Sequence, residues 1–166
     1  YCFNVDGKDM EYCLYENGEL KRVIQVFKGN EMMENDANGK RVYVGGYAGD
    51  MKNGFMRNGK GKELDGNGNV IYTGEWKNGK RNGSGKEMDA SGRIVFVGEW
   101  KNGKGKGKEM DENGNVVYEG EWWNGKRNGN GKEMDGSGRV VFVGEWKDGK
   151  GKGKEMDADG NGMYEG

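Results

Sequence analysis

The tripeptide Gly-Glu-Trp stands at Gly74-Glu75-Trp76, Gly98-Glu99-Trp100, Gly120-Glu121-Trp122 and Gly144-Glu145-Trp146. The spacings are 24, 22 and 24 residues, so the period is a pair of copies totalling 46. Residues 74–119 and 120–165 agree at 37 of those 46 positions. A unit of this length cannot enclose a core by itself and must stack on its neighbours, which limits the chain to a repeat architecture. The two copies within a pair differ at one place. After Trp76 the chain runs Lys77-Asn78-Gly79-Lys80-Arg81-Asn82-Gly83-Ser84-Gly85, whereas after Trp100 it runs Lys101-Asn102-Gly103-Lys104-Gly105-Lys106-Gly107. The short form lacks two residues, and a change there is expected to alter the hairpin loop while sparing the strands.

Alternation of period two marks those strands. In Val140-Val141-Phe142-Val143-Gly144-Glu145-Trp146, one face takes Val140, Phe142, Gly144 and Trp146, and the other takes Val141, Val143 and Glu145. Asn78-Gly79, Asn102-Gly103 and Asn124-Gly125 suit hairpin turns that need positive φ. Second turns fall at Ser91-Gly92, Asn113-Gly114 and Ser137-Gly138. The expected fold is all-β: an elongated single-layer antiparallel meander of tandem hairpins. Glycine weakens a strand unless something approaches its backbone closely. The expected visitor is an indole from a neighbouring repeat. Tyr43-Val44-Gly45-Gly46-Tyr47 begins a degenerate copy, so tandem repeats are expected over 43–166. Residues 1–42 are expected to hold irregular hairpins, with turns at Asp6-Gly7 and Asn17-Gly18, and a degenerate capping repeat over 29–42.

Leu, Ile, Val and Phe number only 24 of 166 residues, too few for an ordinary layered core. A net charge of −1 argues against reading this poverty as disorder. The 5 Trp and 8 Tyr each bury a large area and take over the work of many aliphatics. No apolar stretch has the length of a membrane-spanning helix. The sequence starts at Tyr1 without Met, which reads as a fragment or a processed product. A cytoplasmic setting, associated with cytoskeleton or membrane, is favoured over a secreted one. Cys2 and Cys13 precede the repeats, and both a disulfide and two thiols fit them.

The segment Tyr72-Thr73-Gly74-Glu75-Trp76-Lys77-Asn78-Gly79-Lys80-Arg81-Asn82-Gly83-Ser84-Gly85 resembles the MORN repeat, as does Tyr118 to Gly131. Phe96 to Gly107 and Phe142 to Gly153 are similar to its shortened variant. The resemblance implies a single-sheet rod with a groove lined by its Tyr, Trp and Gly positions. It implies a scaffold that docks a partner helix or peptide or dimerises end to end, with phospholipid binding as a proposed activity. Such repeats also occur attached to lipid kinases and lysine methyltransferases, but no such catalytic domain is recognisable here.

Gly98-Glu99-Trp100-Lys101-Asn102-Gly103-Lys104 imitates a P-loop up to Gly105, where Ser or Thr belongs, and no helix is expected to follow. Asp157-Ala158-Asp159-Gly160-Asn161-Gly162 and, less well, Asp65-Gly66-Asn67-Gly68-Asn69 imitate a calcium loop without its helices or final Glu, and read as Asx turns. The absence of His and the two Cys remove zinc sites and nucleophile–His pairs. No catalytic residue, metal or cofactor is expected. The candidate groove for a protein or peptide comprises Tyr43, Tyr47, Tyr72, Trp76, Phe96, Trp100, Tyr118, Trp122, Phe142 and Trp146, with part of each ring expected to stay exposed. Trp123 stands where other copies have Lys77, Lys101 or Lys147, and is expected on the opposite face as a further contact. Lys104, Lys106 and Lys108, repeated as Lys150, Lys152 and Lys154, are candidates for an anionic lipid surface. The plainer reading is a solvated face balanced by Glu109, Asp111, Glu155 and Asp157. Homo-oligomers through end strands are a further expectation. Overall neutrality argues against nucleic acid.

Overall fold

The Asn-Gly pairs that follow Gly-Glu-Trp-Lys or Gly-Glu-Trp-Trp reverse the chain because both of their residues accept left-handed backbone. Asn78 and Gly79 have φ of 50° and 78°, Asn102 and Gly103 have 51° and 85°, and Asn124 and Gly125 have 51° and 72°. Asp148-Gly149 does the same at 50° and 85°. Positive φ at both central residues matches the right-handed twist of the flanking strands. The other turn is built on aspartate. Asp65 Oδ1 accepts the N–H groups of Asn67 and Asn69 at 2.8 and 2.9 Å, and the Gly68 N–H closes on the Asp65 carbonyl at 3.0 Å. Asp111, Asp135 and Asp157 repeat this arrangement.

The computed structural model describes residues 2–3, 9–16, 19–50 and 52–165. The turn signals at Asp6-Gly7 and Asn17-Gly18, and the Cys2 side chain, lie outside what is described. Cys13 is buried. Among the described residues there is no helix. Two compact units are present, residues 1–80 with 90–92 and residues 81–89 with 93–166. Unit 1 contains β1 (Cys2–Phe3), β2 (Asp9–Glu16), β3 (Glu19–Lys28), β4 (Glu31–Asn35), β5 (Arg41–Asp50), β6 (Gly54–Leu64) and β7 (Val70–Lys77). Unit 2 contains β8 (Lys80–Met88), β9 (Ile94–Lys101), β10 (Lys104–Met110), β11 (Val116–Trp123), β12 (Lys126–Met134), β13 (Val140–Lys147), β14 (Lys150–Met156) and β15 (Gly162–Glu165). Within each unit, every strand pairs antiparallel with its neighbours in sequence. The chain is a single-layer meander of consecutive hairpins.

Strict alternation starts later in each strand than the sequence suggests. Leu64 faces Val70 but Glu63 faces Tyr72, so Ile71 is an extra residue in a bulge just after the aspartate turn. Met134, Val140, Glu133 and Phe142 repeat the pattern, and Val140 and Val141 are both half-buried. From the aromatic residue onward the two faces separate cleanly.

The length difference between long and short copies also lies elsewhere than expected. Both forms share the same two-residue turn. In the long form Gly120 faces Gly131 while Trp122 faces Arg127, so the two additional residues bulge out of β12. Gly45, Gly61, Tyr47 and Arg57 show the same shift in β6. In the short form Lys104 through Glu109 face Lys101 through Phe96 without interruption. The turn is already closed by its Asn-Gly pair, so extra length is accommodated where a glycine with positive φ, such as Gly129 at 98°, lets the strand buckle.

Cross-strand register lines the glycines into a continuous row. In unit 2 it runs Gly85, Gly98, Gly107, Gly120, Gly131, Gly144 and Gly153. A Cβ on Gly107 would lie 2.1 Å from the Val97 carbonyl oxygen and 2.5 Å from the Gly98 Cα. The strands therefore crease toward the ring face along this row, and only glycine allows so close an approach. The crease lets one layer close around its own aromatic residues.

Candidate functional site

The ring face is filled. Tyr43, Tyr72, Phe96 and Tyr118 are 0% exposed, and Trp76, Trp100, Trp122 and Trp146 lie between 3% and 7%. Only Tyr47 and Phe142 of the ten groove candidates are half-buried. The expectation that part of each ring stays open is therefore corrected, because the crease and a lid of side chains cover them. The close visitor over the central glycines also differs from the expected indole. A Cβ on Gly61 would lie 2.2–2.5 Å from the Tyr43 ring, and one on Gly131 would lie 2.2–2.3 Å from the Tyr118 ring. Indoles lie over the outer glycines, with Trp100 and Phe96 3.1 Å from a Cβ on Gly105.

The lid is the arginine carried by the long form. Arg57 lies over the rings of Tyr43 and Trp76 at 4.8 and 4.9 Å, and Arg127 lies over Tyr118 and Trp146 at 4.7 and 4.8 Å. Arg81 covers Trp100 at 5.1 Å. Each guanidinium is held by carboxylates: Arg57 by Glu34 and Glu63, Arg81 by Glu87, and Arg127 by Glu109 and Glu133. Glu87, 6% exposed, also accepts the Trp122 indole N–H. A guanidinium over an aromatic face contributes about 1–2 kcal/mol when partly desolvated. The sequence offered one signal for these arginines, since Arg81 and Arg127 lie at the two-residue difference between copies.

The lid decides how the next tryptophan packs. Beside Arg57 and Arg127, the following indole meets the ring edge-on: Tyr43–Trp76 at 79° and Tyr118–Trp146 at 80°. Where the short form leaves Gly105 instead, Trp122 lies flat on Phe96, with centroids 4.6 Å apart and planes 15° apart.

Burial pushes the phenols of Tyr43 and Tyr118 up to about 12, against a smaller opposing pull from Arg57 and Arg127. A folded-state value above the unfolded value of about 10 favours folding below that pH, and the benefit is lost as pH rises toward 12. Ultraviolet titration at 295 nm should therefore show these two phenolates forming near pH 12, together with loss of strand structure. Complete ionisation of every tyrosine near pH 10 with the fold intact would contradict their burial.

The outer face is polar and carries Trp123, 50% exposed. It lies on the same side as Glu119 and Glu121, opposite Trp122. Lys104, Lys106 and Lys108 also share this face and are exposed. Their counterbalance differs from the expected acids. Lys106 sits across from both Glu99 and Glu121, Lys108 from Val97 and Glu119, Lys152 from Glu145, and Lys154 from Val143. Glu109 instead binds Arg127, Glu155 faces Phe142 on the ring side, and Asp111 and Asp157 close turns. A depression of about 640 Å³ lies between Lys101, Lys104 and Trp123 on one side and Glu99, Lys106 and Glu121 on the other.

Among the described residues no group of three or more acidic, Cys or His side chains is placed to hold a metal. In the calcium-like segment, Asp157 Oδ1 accepts the Asp159 and Asn161 N–H groups, and Oδ2 accepts the Asn161 side-chain amide. The carboxylate is engaged within its own turn. These bonds, that of the Asn161 N–H first, hold its pKa below the usual carboxylate range.

The family model for the MORN repeat matches residues 43–70, 72–92, 96–116, 118–138 and 142–162. A comparison with curated proteins finds no match.

Proposed function

Because the chain belongs to the MORN-repeat family, whose repeats serve interaction with proteins or membranes, we propose that it is a non-catalytic scaffold that docks a protein partner on the outer face of unit 2. One observation carries this reading: Trp123 stands half-exposed beside a depression, at a position where three other copies have lysine. An exposed indole next to a concavity is the usual form of an interface anchor. The ten ring-face aromatics support the reading in a different capacity. They keep the sheet rigid and leave the outer face free to be specialised.

The test uses Trp123→Lys, which installs the residue found at 77, 101 and 147 and leaves the ring face untouched. A photo-crosslinking residue at position 123 should capture a partner that one at the exposed turn residue Asn113 does not. Trp123→Lys should abolish co-purification of that partner while the thermal melt stays within about 2 °C of the parent. Unchanged co-purification, with equal crosslinking from 113, would remove the reading.

A further inference from the structure

Resting on that reading, we propose that the occupant of the outer face is a linear acidic segment with one bulky apolar side chain flanked by carboxylates. The register of unit 2 brings together four positions that lie far apart in sequence. Lys101 faces Lys104, and Trp123 faces Lys126. Gly105 faces Trp122, which places Lys104 beside Trp123. The result is a row, Lys101, Lys104, Trp123, Lys126, running across the strands at the base of the Asn-Gly turns. With strands about 4.8 Å apart, the row is about 15 Å long, which an extended peptide covers in four or five residues.

The charges of this row differ from those one step inward. There Lys106 lies between Glu99 and Glu121, and each of those acids is already engaged: Ser84 donates to Glu99 at 2.6 Å and the Asn130 N–H donates to Glu121 at 2.7 Å. That inner row neutralises itself. The outer row has no acid in it, and among the described residues none of its three lysines pairs with a carboxylate. Trp123 is thus bracketed by two uncompensated ammonium groups, Lys104 and Lys126. A ligand complementary to this order presents acid, apolar, acid. The apolar group enters the depression against the indole and the lysine stems, and the carboxylates meet the ammonium groups.

A flat anionic membrane fits less well. The indole adjoins a concave surface, and the carboxylates of the inner row would face the lipid headgroups. In the repeats that keep lysine at this position the row has charge but no anchor, so the site is specific to one copy.

The probe is a fluorescein-labelled peptide of about seven residues with Phe at its centre and Glu on both sides, measured by anisotropy against the whole chain. Saturable binding is expected, weakening several-fold between about 50 and 200 mM salt. Trp123→Lys should lose about tenfold or more, although it adds a positive charge to the row. Lys104→Glu with Lys126→Glu should lose the acidic peptide and gain one with Lys in place of Glu. Replacing the central Phe by Ala should also weaken binding. Equal or tighter binding by Trp123→Lys overturns the proposal, because charge alone would then be responsible. Binding to phosphatidylserine vesicles through Trp123, with no binding of the peptide, overturns it in favour of a membrane surface. If crosslinking from position 123 persists and no acidic peptide binds, the docking site stands and the stated occupant is wrong. If both fail, the site itself is wrong.

Discussion

Gly131→Ala is expected to destabilise the 166-residue chain by about 3 kcal/mol, a lowering of the thermal midpoint by roughly 6–12 °C. The added methyl carbon would sit 2.2–2.3 Å from ring atoms of Tyr118, and that ring cannot retreat. Arg127 lies on it at 4.7 Å, and Trp146 packs at 5.3 Å. Displacing the ring would expose a side chain that is now fully buried, a loss comparable to truncating a core aromatic. Gly136→Ala is the matched control, since a methyl there meets nothing within 4 Å and its φ is not positive. It should change stability by less than about 0.5 kcal/mol. Urea melts of the two variants decide the matter. Equal midpoints would mean that ring-over-glycine contact does not hold the sheet together.

Arg81→Ala should cost about 3–5 kcal/mol, because it strands a buried carboxylate. Glu87 is 6% exposed and would keep only the Trp122 indole N–H as a strong donor. The loss of Arg81 also uncovers Trp100. Replacing both partners by apolar residues, as in Arg81→Met with Glu87→Leu, should recover most of the loss, since no unpaired charge is then buried. Arg139→Ala offers the contrast. Its side chain is 51% exposed and pairs with Asp135 at a turn, so its removal should cost less than about 1 kcal/mol. If Arg81→Ala is no worse than Arg139→Ala in a urea melt, the guanidinium lid is decorative.

Much of this organisation is legible in the sequence. The Asn-Gly pairs just after Gly-Glu-Trp announced their turns because few other sequences tolerate two successive left-handed residues, and the spacing of Gly-Glu-Trp dictated the register of the strands. Trp123 was identifiable as the odd residue because forty-six positions away the same place holds Lys77. Three features were hidden, each for a physical reason. The two-residue difference between copies was expected in the loop, since sequence cannot show that an Asn-Gly turn is already closed. The rings were expected to be open, because a single layer has no second sheet to cover them. The crease along the glycine row and the arginine lid supply that cover, and both depend on contacts between strands. The row formed by Lys101, Lys104, Trp123 and Lys126 was hidden for the same reason. Reading along one strand finds Lys104, Lys106 and Lys108, whereas the charge that lacks a partner is arrayed at right angles to them.

The bulge in the long copies also governs how such a chain can grow or shrink. A short copy has Gly105 where a long one has Arg, which leaves a bare patch beside Phe96 that the following Trp122 occupies by lying flat. A long copy fills the corresponding place with Arg127, and the following Trp146 must stand on edge. Each indole therefore takes its tilt from the copy before it: Trp76 and Trp122 both stand in long copies, yet one is on edge behind Arg57 and the other is flat behind Gly105. A long copy thus accepts either kind of predecessor, as the chain itself shows by setting the copy of Trp76 after a long one and the copy of Trp122 after a short one. The interchangeable part is the single long copy, and a designer wishing to lengthen this protein can splice one in behind either kind.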